Sequence, residues 1–311
     1  MQQIGFYKIV YGRNQLSIIN VNDLHGQVFL NSMDTLDLLE DDRTLFINVQ
    51  FLSRVKKSST HSVNYFIQGS VQVNLNSLLD SSLYPNMMIE TDLLKKRLSE
   101  LGVCTDKTII LYEQDSIYAG PRLWWMLKAI GYHNVFILNS TLKDWLSQGL
   151  PTDNTLIEYN NTCKEDVGEN GEAQLFCNST LIEKAIGDNR NFRIIDARSK
   201  ARYLGQENEA RANLKSGHIP TALNMPFNIF FSENKIIPVE NIEEEFFSRG
   251  ISKDHHLVIY CGSGVTACIV GVCALSAGFK NVSIYDASWA EWGLKELGKK
   301  VCTNIEICSE D

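Results

Sequence analysis

The feature that most constrains this chain is a diverged internal repeat. One copy runs Thr108-Ile109-Ile110-Leu111-Tyr112, a loop, Pro121 to Ile130, Gly131-Tyr132-His133-Asn134-Val135 and Trp145. The other runs His256-Leu257-Val258-Ile259-Tyr260, a loop opening at Cys261, an apolar stretch to Ala277, Gly278-Phe279-Lys280-Asn281-Val282 and Trp292. Each reads as strand, loop, helix, glycine turn, strand and short helix. The match extends upstream: Leu45 to Val49 corresponds to Arg193 to Ala197, and Phe66-Ile67-Gln68-Gly69 to His218-Ile219-Pro220-Thr221. Strands that are apolar on both faces and alternate with helical patterns predict βαβ units, hence parallel sheets covered on both sides. A chain of 311 residues also exceeds the usual size of a single core. The expectation is an α/β protein of two tandem domains, each a parallel sheet flanked by helices. Pro151 to Asn178, rich in Asn, Thr, Glu and Gly, reads as the connection, with Cys163 and Cys177 exposed in it.

The second copy carries the chemistry. Val258-Ile259-Tyr260-Cys261-Gly262-Ser263-Gly264-Val265-Thr266-Ala267-Cys268 takes an apolar strand into a cysteine and then a glycine-bearing loop that opens a helix at about Thr266. Gly262 and Gly264 free the backbone to curl, so that successive N–H groups can converge on the sulfur. The helix aims its partly positive N-terminus at the same point, which favours a thiolate, a persulfide or a bound anion. Active sites in such sheets lie beyond the carboxyl ends of strands, where this loop falls. The first copy has Glu113 at the matching place and Asn48 where the second has Asp196. It reads as a scaffold that walls one side of a cleft, with Trp124, Trp125 and Met126 as core or interdomain packing.

Composition narrows the partners. Hydrophobic residues at 44% and charged residues at 21% are ordinary for a globular chain, and a net charge of −8 argues against nucleic acid. The longest apolar stretch, Val265 to Phe279, is interrupted by Thr266, Gly271, Ser276 and Gly278 and is too short to span a bilayer. The eight cysteines, at 104, 163, 177, 261, 268, 273, 302 and 308, show no CxxC pair and no metal-ligand spacing with the histidines. With no secretory signal, they are expected to be reduced thiols in a cytoplasmic protein, and the sequons at Asn139, Asn160, Asn178 and Asn281 to be chance. The first 22 residues, with Lys8 and Arg13 and no acid before Asp23, are also compatible with a mitochondrial presequence. No metal and no cofactor are expected.

The Cys261 string resembles the active loop of rhodanese-type sulfurtransferases, and in detail the CGSGVTA loop of the 3-mercaptopyruvate sulfurtransferases. The resemblance covers nearly all of residues 20 to 295 and implies two rhodanese-like domains. The organisation then reads as an extension over 1–20, a non-catalytic domain over 21–150, a link over 151–180, a catalytic domain over 181–300 and a tail over 301–311. It implies transfer of sulfur from 3-mercaptopyruvate, through a Cys261 persulfide, to a thiol acceptor such as thioredoxin or a small thiol. Arg202 and Arg211 match the two arginines that hold the substrate carboxylate in that family. Cys261, Ser263 and Thr266 are the expected catalytic residues; Arg202, Arg211, Gly262, Gly264 and Val265 are the expected substrate contacts.

Chemistry orders the alternatives. Thiosulfate is a dianion, and in thiosulfate-specific relatives the residues after the cysteine are basic; here they are the neutral Gly262 and Ser263, which suit a ketone or enolate oxygen. A rhodanese-fold phosphatase needs an arginine where this chain has Ala267. A persulfide carrier of low turnover stays open because one family feature is missing. Relatives use a serine–histidine–aspartate relay whose histidine comes from a HIPGA-like string of the first domain, and that string is expected here at Phe66-Ile67-Gln68-Gly69-Ser70, without histidine; His61 lies nearby. His218, in the matching string of the second copy, reads as a structural turn residue beside Gly217 and Pro220.

Overall fold

In the computed structural model the described residues are 24, 26–52, 65–158, 163, 171 and 173–304. The repeat appears as two five-stranded parallel sheets of the same topology. The first is built from β1 (Phe29–Leu30), β2 (Thr44–Gln50), β3 (Val71–Asn74), β4 (Thr108–Tyr112) and β5 (Val135–Leu138), in the order β1-β5-β4-β2-β3. The second is built from β6 (Phe176–Cys177), β7 (Phe192–Asp196), β8 (Leu223–Asn224), β9 (His256–Tyr260) and β10 (Val282–Tyr285), in the order β6-β10-β9-β7-β8. The central strands are buried along almost their whole length, as their unbroken apolar runs require. Helices α1 (Thr91–Glu100), α2 (Gly120–Ala129) and α3 (Leu142–Ser147) cover the first sheet. Helices α4 (Ser179–Gly187), α5 (Lys200–Tyr203), α6 (Val239–Phe247), α7 (Ala267–Ser276) and α8 (Ser288–Trp292) belong to the second half.

Register confirms the upstream match of the copies. Asn48 pairs with Tyr112, as Asp196 pairs with Tyr260. The Tyr112 hydroxyl accepts from the Ile67 amide (3.2 Å), and the Tyr260 hydroxyl accepts from the Ile219 amide (3.1 Å). There the copies part. Tyr260 donates to Asp196 Oδ2 (2.7 Å), whereas Tyr112 donates to Ser70 Oγ (3.0 Å). Asn48 is fully buried, with neither side-chain atom hydrogen-bonded.

The two halves share one apolar core, which runs from Val28 and Trp125 through Ile259 to Ile284. Its centre is the crossing of α2 and α7. A Cβ at Gly271 would lie 2.9 Å from the Trp125 ring, so glycine is what lets the two helices approach. Trp124, Trp125 and Met126 are all buried, and the Trp125 indole donates to the Leu175 carbonyl (2.8 Å). Among the described residues no helix is long and apolar enough to cross a membrane.

The connection departs from expectation. Thr152–Asp153 pairs antiparallel with Phe66–Ile67, and Phe176–Cys177 is the edge strand β6; two-residue strands are too short to give a periodic signal. Cys163 and Cys177 are half-buried, not exposed. The expectation that the cysteines are unpaired also fails: Cys104, after α1, is disulfide-bonded to Cys163, and Cys302 is disulfide-bonded as well. Cys104 and Cys163 are 59 positions apart in sequence, so only the folded path brings them together. Asn178 is an N-cap, its side chain accepting from the Thr180 amide, and Asn139 bonds across to Ile236. The 1–20 extension, His61, Asn160 and Cys308 lie outside the described residues.

An unpaired buried amide costs about 1–3 kcal/mol in protein mutational data. Asn48→Leu, similar in volume and without polar atoms, is therefore expected to stabilise the fold by ~1–2 kcal/mol. A urea unfolding midpoint that moves up, with an unchanged slope, is the check.

Candidate active site

Strand β9 delivers Cys261, 2% exposed, to the carboxyl edge of the second sheet. The outward-facing groups of the loop are occupied by α8. Trp289 and Ala290 amides donate to the carbonyls of Cys261 (3.0 Å) and Gly262 (3.1 Å), and the Cys261 amide donates to Ser288 Oγ (3.2 Å). Ser288 stands at a positive φ of 54°, and its hydroxyl donates to the Tyr285 carbonyl (2.8 Å). The amides of residues 262 to 267 then have no protein acceptor among the described residues. Gly264, at φ +77°, makes the turn; a Cβ there would sit 2.5 Å from the Asp286 carbonyl oxygen. Helix α7 begins at Ala267, one residue later than expected, with Thr266 as an N-cap whose hydroxyl does not cap. Val265 is buried, and Ser263 and Thr266 are half-buried.

The first copy indicates what such a cradle binds. Glu113 folds its carboxylate back into its own loop, where it accepts from the amides of Tyr118 (2.6 Å), Ala119 (2.9 Å) and Gly120 (2.8 Å) at the start of α2. An anion thus fills the degenerate loop, at the helix N-terminus that favours it. In the second copy the corresponding amides have no protein acceptor among the described residues. The other free cysteines are ill suited to nucleophilic work: burial pushes the Cys177 and Cys268 thiols up to about 12, and Cys273 higher still.

Of the two expected arginines, Arg202 is brought to the loop. A Cβ at Gly262 would lie 3.3 Å from Arg202 Nη2, so this glycine makes room for the guanidinium. Glu209 holds Arg202 (2.5 Å) and also Arg198 (2.8 Å), and Arg198 in turn binds Asp196 (2.6 Å). Two arginines face two carboxylates, so the array is neutral as a set. Arg211 is exposed in the same connection. His218 stacks on Tyr203 and bonds Nδ1 to its carbonyl (2.7 Å); burial lowers its pKa, in keeping with a structural role.

Three first-domain residues at the site were not anticipated. Asn86 donates its side-chain amide to Ser263 Oγ (2.8 Å). This corrects the expectation that the residue facing Ser263 comes from the Phe66 string, which is occupied in the strand pairing with Thr152–Asp153 and in the core around Ile67 and Tyr112. Arg122, fully buried, donates to Asp286 Oδ1 (2.6 Å), to the Asn86 carbonyl (2.8 Å) and to the Gly264 carbonyl (3.4 Å). Burial acts to lower its pKa, and the charge of Asp286 more than offsets this. Tyr118, from the Glu113 loop, packs between Phe51 and Phe227; burial, then the charges of Cys261 and Glu113, push its phenol up to about 12. Arg122 left a trace in the sequence, since a cation in the first turn of a helix opposes the dipole. Asn86 left none beyond a Pro-Asn turn signal. Among the described residues no cluster could hold a metal ion.

Two stability measurements test this arrangement. Arg122→Met leaves the Asp286 carboxylate without its cation and is expected to cost about 3–5 kcal/mol, read from the urea midpoint. Glu113→Ala loses charge-assisted hydrogen bonds and is expected to cost ~1.5–3 kcal/mol of stability. Modification of Cys261 by a thiol reagent is expected to stay within about twofold of the parent in that variant, since the Glu113 carboxylate bonds amides of its own loop.

Comparison with known proteins identifies the family. The rhodanese-like domain family matches residues 35–148 and 180–295. The 3-mercaptopyruvate sulfurtransferase of Escherichia coli (strain K12) is 32% identical over 234 residues, covering 75% of this chain and 82% of that protein. The enzyme of the same name from Homo sapiens is 31% identical over 236 residues, covering 74% and 77%. The thiosulfate sulfurtransferase of Gallus gallus is 29% identical over 246 residues, covering 73% and 78%. Among solved structures, SseA from Escherichia coli, a 3-mercaptopyruvate sulfotransferase of rhodanese fold, superposes with a TM-score of 0.71 at 29% identity over 85% of this chain and 99% of its own. The Tum1 protein from Saccharomyces cerevisiae shares the fold, with a TM-score of 0.79 at 22% identity over 90% and 99%. Both halves of the repeat are matched, and the Escherichia coli and Homo sapiens enzymes exceed 30% identity over about three quarters of the chain, so the chain belongs to the rhodanese family of sulfurtransferases, with two rhodanese-like domains in tandem.

Proposed function

We propose that the protein is a 3-mercaptopyruvate sulfurtransferase, in which the second domain does the chemistry and the first completes the cleft. The observation that carries this reading is the Cys261 loop, where the amides of residues 262 to 267 have no protein acceptor among the described residues, while the matching loop is filled by its own Glu113 carboxylate. In the reaction, the Cys261 thiolate attacks the sulfur of 3-mercaptopyruvate. The S–C bond breaks, its electron pair passes to the ketone oxygen as pyruvate enolate, and the substrate sulfur, still carrying its proton, forms Cys261–S–SH. That acidic proton, passed through water, converts the enolate to pyruvate and leaves a persulfide anion among the amides and the α7 N-terminus. A thiol acceptor, such as thioredoxin or a small thiol, then takes the outer sulfur.

In this reading Cys261 is the nucleophile, the amides of Gly262, Gly264 and Val265 line the anion cradle, and the hydroxyls of Ser263 and Thr266 face the ketone or enolate oxygen. Arg202 and Arg211 hold the substrate carboxylate, for which a planar guanidinium fork is suited. The neutral Gly262 and Ser263 favour a ketoacid over thiosulfate. The division into 21–150 and 181–300, and a cytoplasmic or mitochondrial setting, belong to the same reading.

Mass spectrometry of the Cys261 peptide after incubation with mercaptopyruvate is expected to find one added sulfur, with pyruvate released. Cys261→Ser should abolish both, and substantial residual turnover would sink the assignment. Arg202→Ala should lower kcat/KM about ten- to a hundred-fold, the loss of a charge-assisted bond worth ~1.5–3 kcal/mol, with only partial rescue by lysine. Loading from thiosulfate that outpaces mercaptopyruvate would favour the alternative donor. Rapid loading by a partner, with slow turnover of either small donor, would favour a persulfide carrier.

A further inference from the structure

The side chain that meets Ser263 across the domain boundary is an amide, and this decides what the serine can do. Asn86 is the last residue of the turn joining Leu79–Asp80 to Met87–Met88 and stands at φ +62°. Its backbone is fixed at both ends: the amide donates to Ser81 Oγ (3.2 Å), and the carbonyl accepts from the buried Arg122 (2.8 Å). From this anchored turn Nδ2 donates to Ser263 Oγ (2.8 Å). A hydroxyl that accepts an N–H on one lone pair must direct its own proton elsewhere. Among the described residues nothing in the protein accepts that proton.

We propose that Asn86 is a positioning residue for Ser263: its amide occupies the serine's acceptor site and so commits the hydroxyl to donate into the cleft, toward the ketone oxygen of the sulfur donor. This deepens the proposed function and rests on it. When the S–C bond breaks, negative charge grows on that oxygen, and a donor already pointing at it stabilises the transition state more than the ground state. The amide itself neither gives nor takes a proton at neutral pH, so no proton passes through Asn86. The enolate is protonated by the proton that entered on the substrate thiol. Asn86 thereby contributes orientation from the first domain to chemistry in the second.

The test is a double-mutant cycle on mercaptopyruvate turnover. A residue at φ +62° must tolerate the left-handed region, so the variants are Asn86→Gly, which removes the amide without backbone strain, and Asn86→Asp, which keeps the shape and reverses the polarity. Asn86→Gly is expected to lower kcat about 5- to 10-fold, the weight of one oriented hydrogen bond, with KM within about twofold. Asn86→Asp, an acceptor only, should turn the serine's proton back toward itself and lower kcat about 30-fold or more, further than complete removal. In a Ser263→Ala background each substitution should change kcat by less than about twofold. A packing role predicts the reverse order, with the near-isosteric aspartate the milder change. That order, or effects that simply multiply with Ser263→Ala, would overturn the proposal while the parent still makes pyruvate. A parent that makes no pyruvate would instead overturn the function, and the positioning role with it.

Discussion

The structure turns on one buried ion pair. Arg122, in the first turn of α2, and Asp286, at the end of β10, meet between the domains at 2.6 Å, with the guanidinium fully buried over the Phe176 ring at 4.7 Å. A cation at that end of a helix is unfavourable, and its desolvation is costly. What offsets both is convergence: the same guanidinium donates to the Asn86 and Gly264 carbonyls, and Asp286 Oδ2 also accepts from the Met88 amide. The pair therefore joins the first-domain hairpin to the second-domain loop. Among the described residues the Arg122 Nε has no hydrogen-bond partner. The domain interface and the cleft geometry are thus a single structure, and a shift of one domain would be felt at Gly264, three residues from the nucleophile.

The repeat explains why this interface exists. Each copy builds the same sheet and ends its central strand at a loop that can gather amides around an anion. In the first copy the anion is a side chain that closes the loop, and Tyr118 of that loop packs between Phe51 and Phe227. In the second, α8 takes the loop's carbonyls and leaves the amides for a ligand. The same divergence is written in the strands. Asp196 bonds Tyr260 and Arg198, and through Glu209 positions Arg202 over Gly262, whereas the Asn48 side chain at the matching place has no hydrogen-bond partner among the described residues.

Features carried by contiguous residues were legible in the sequence. The parallel strands, the cysteine loop and the start of α7 to within one residue all follow from local pattern, because strand apolarity and glycine freedom act over a few residues. Even the correspondence of Phe66-Ile67 with His218-Ile219 is right, as the shared tyrosine contacts attest. What that correspondence could not supply is a contact across domains. Asn86 and Ser263 are 177 positions apart, and Arg122 and Asp286 are 164 apart. Neither pair lies in a motif, so the Phe66 string was the wrong place to look for the partner of Ser263. The Cys104–Cys163 bond was hidden for the same reason, its two ends belonging to segments that meet only after the chain has crossed the domain.

Charge at the cleft follows from these placements, and it bears on donor choice. The loop itself carries no basic side chain, yet it is not without a cation, since Arg202 stands over Gly262. That cation is shared with Glu209, so the array has little net charge to offer a dianion and presents instead a directional fork with part of its capacity already used. A single carboxylate can compete for such a fork by geometry, bidentate and planar, without needing excess positive charge. With the role proposed above for Asn86, the remaining recognition falls to the ketone oxygen, next to the carbon whose bond to sulfur breaks, and Asn86 of the first domain meets Ser263 there. Selection by directed hydrogen bonds, not by bulk charge, is consistent with a chain whose overall charge is −8 and which must still bind an anionic substrate.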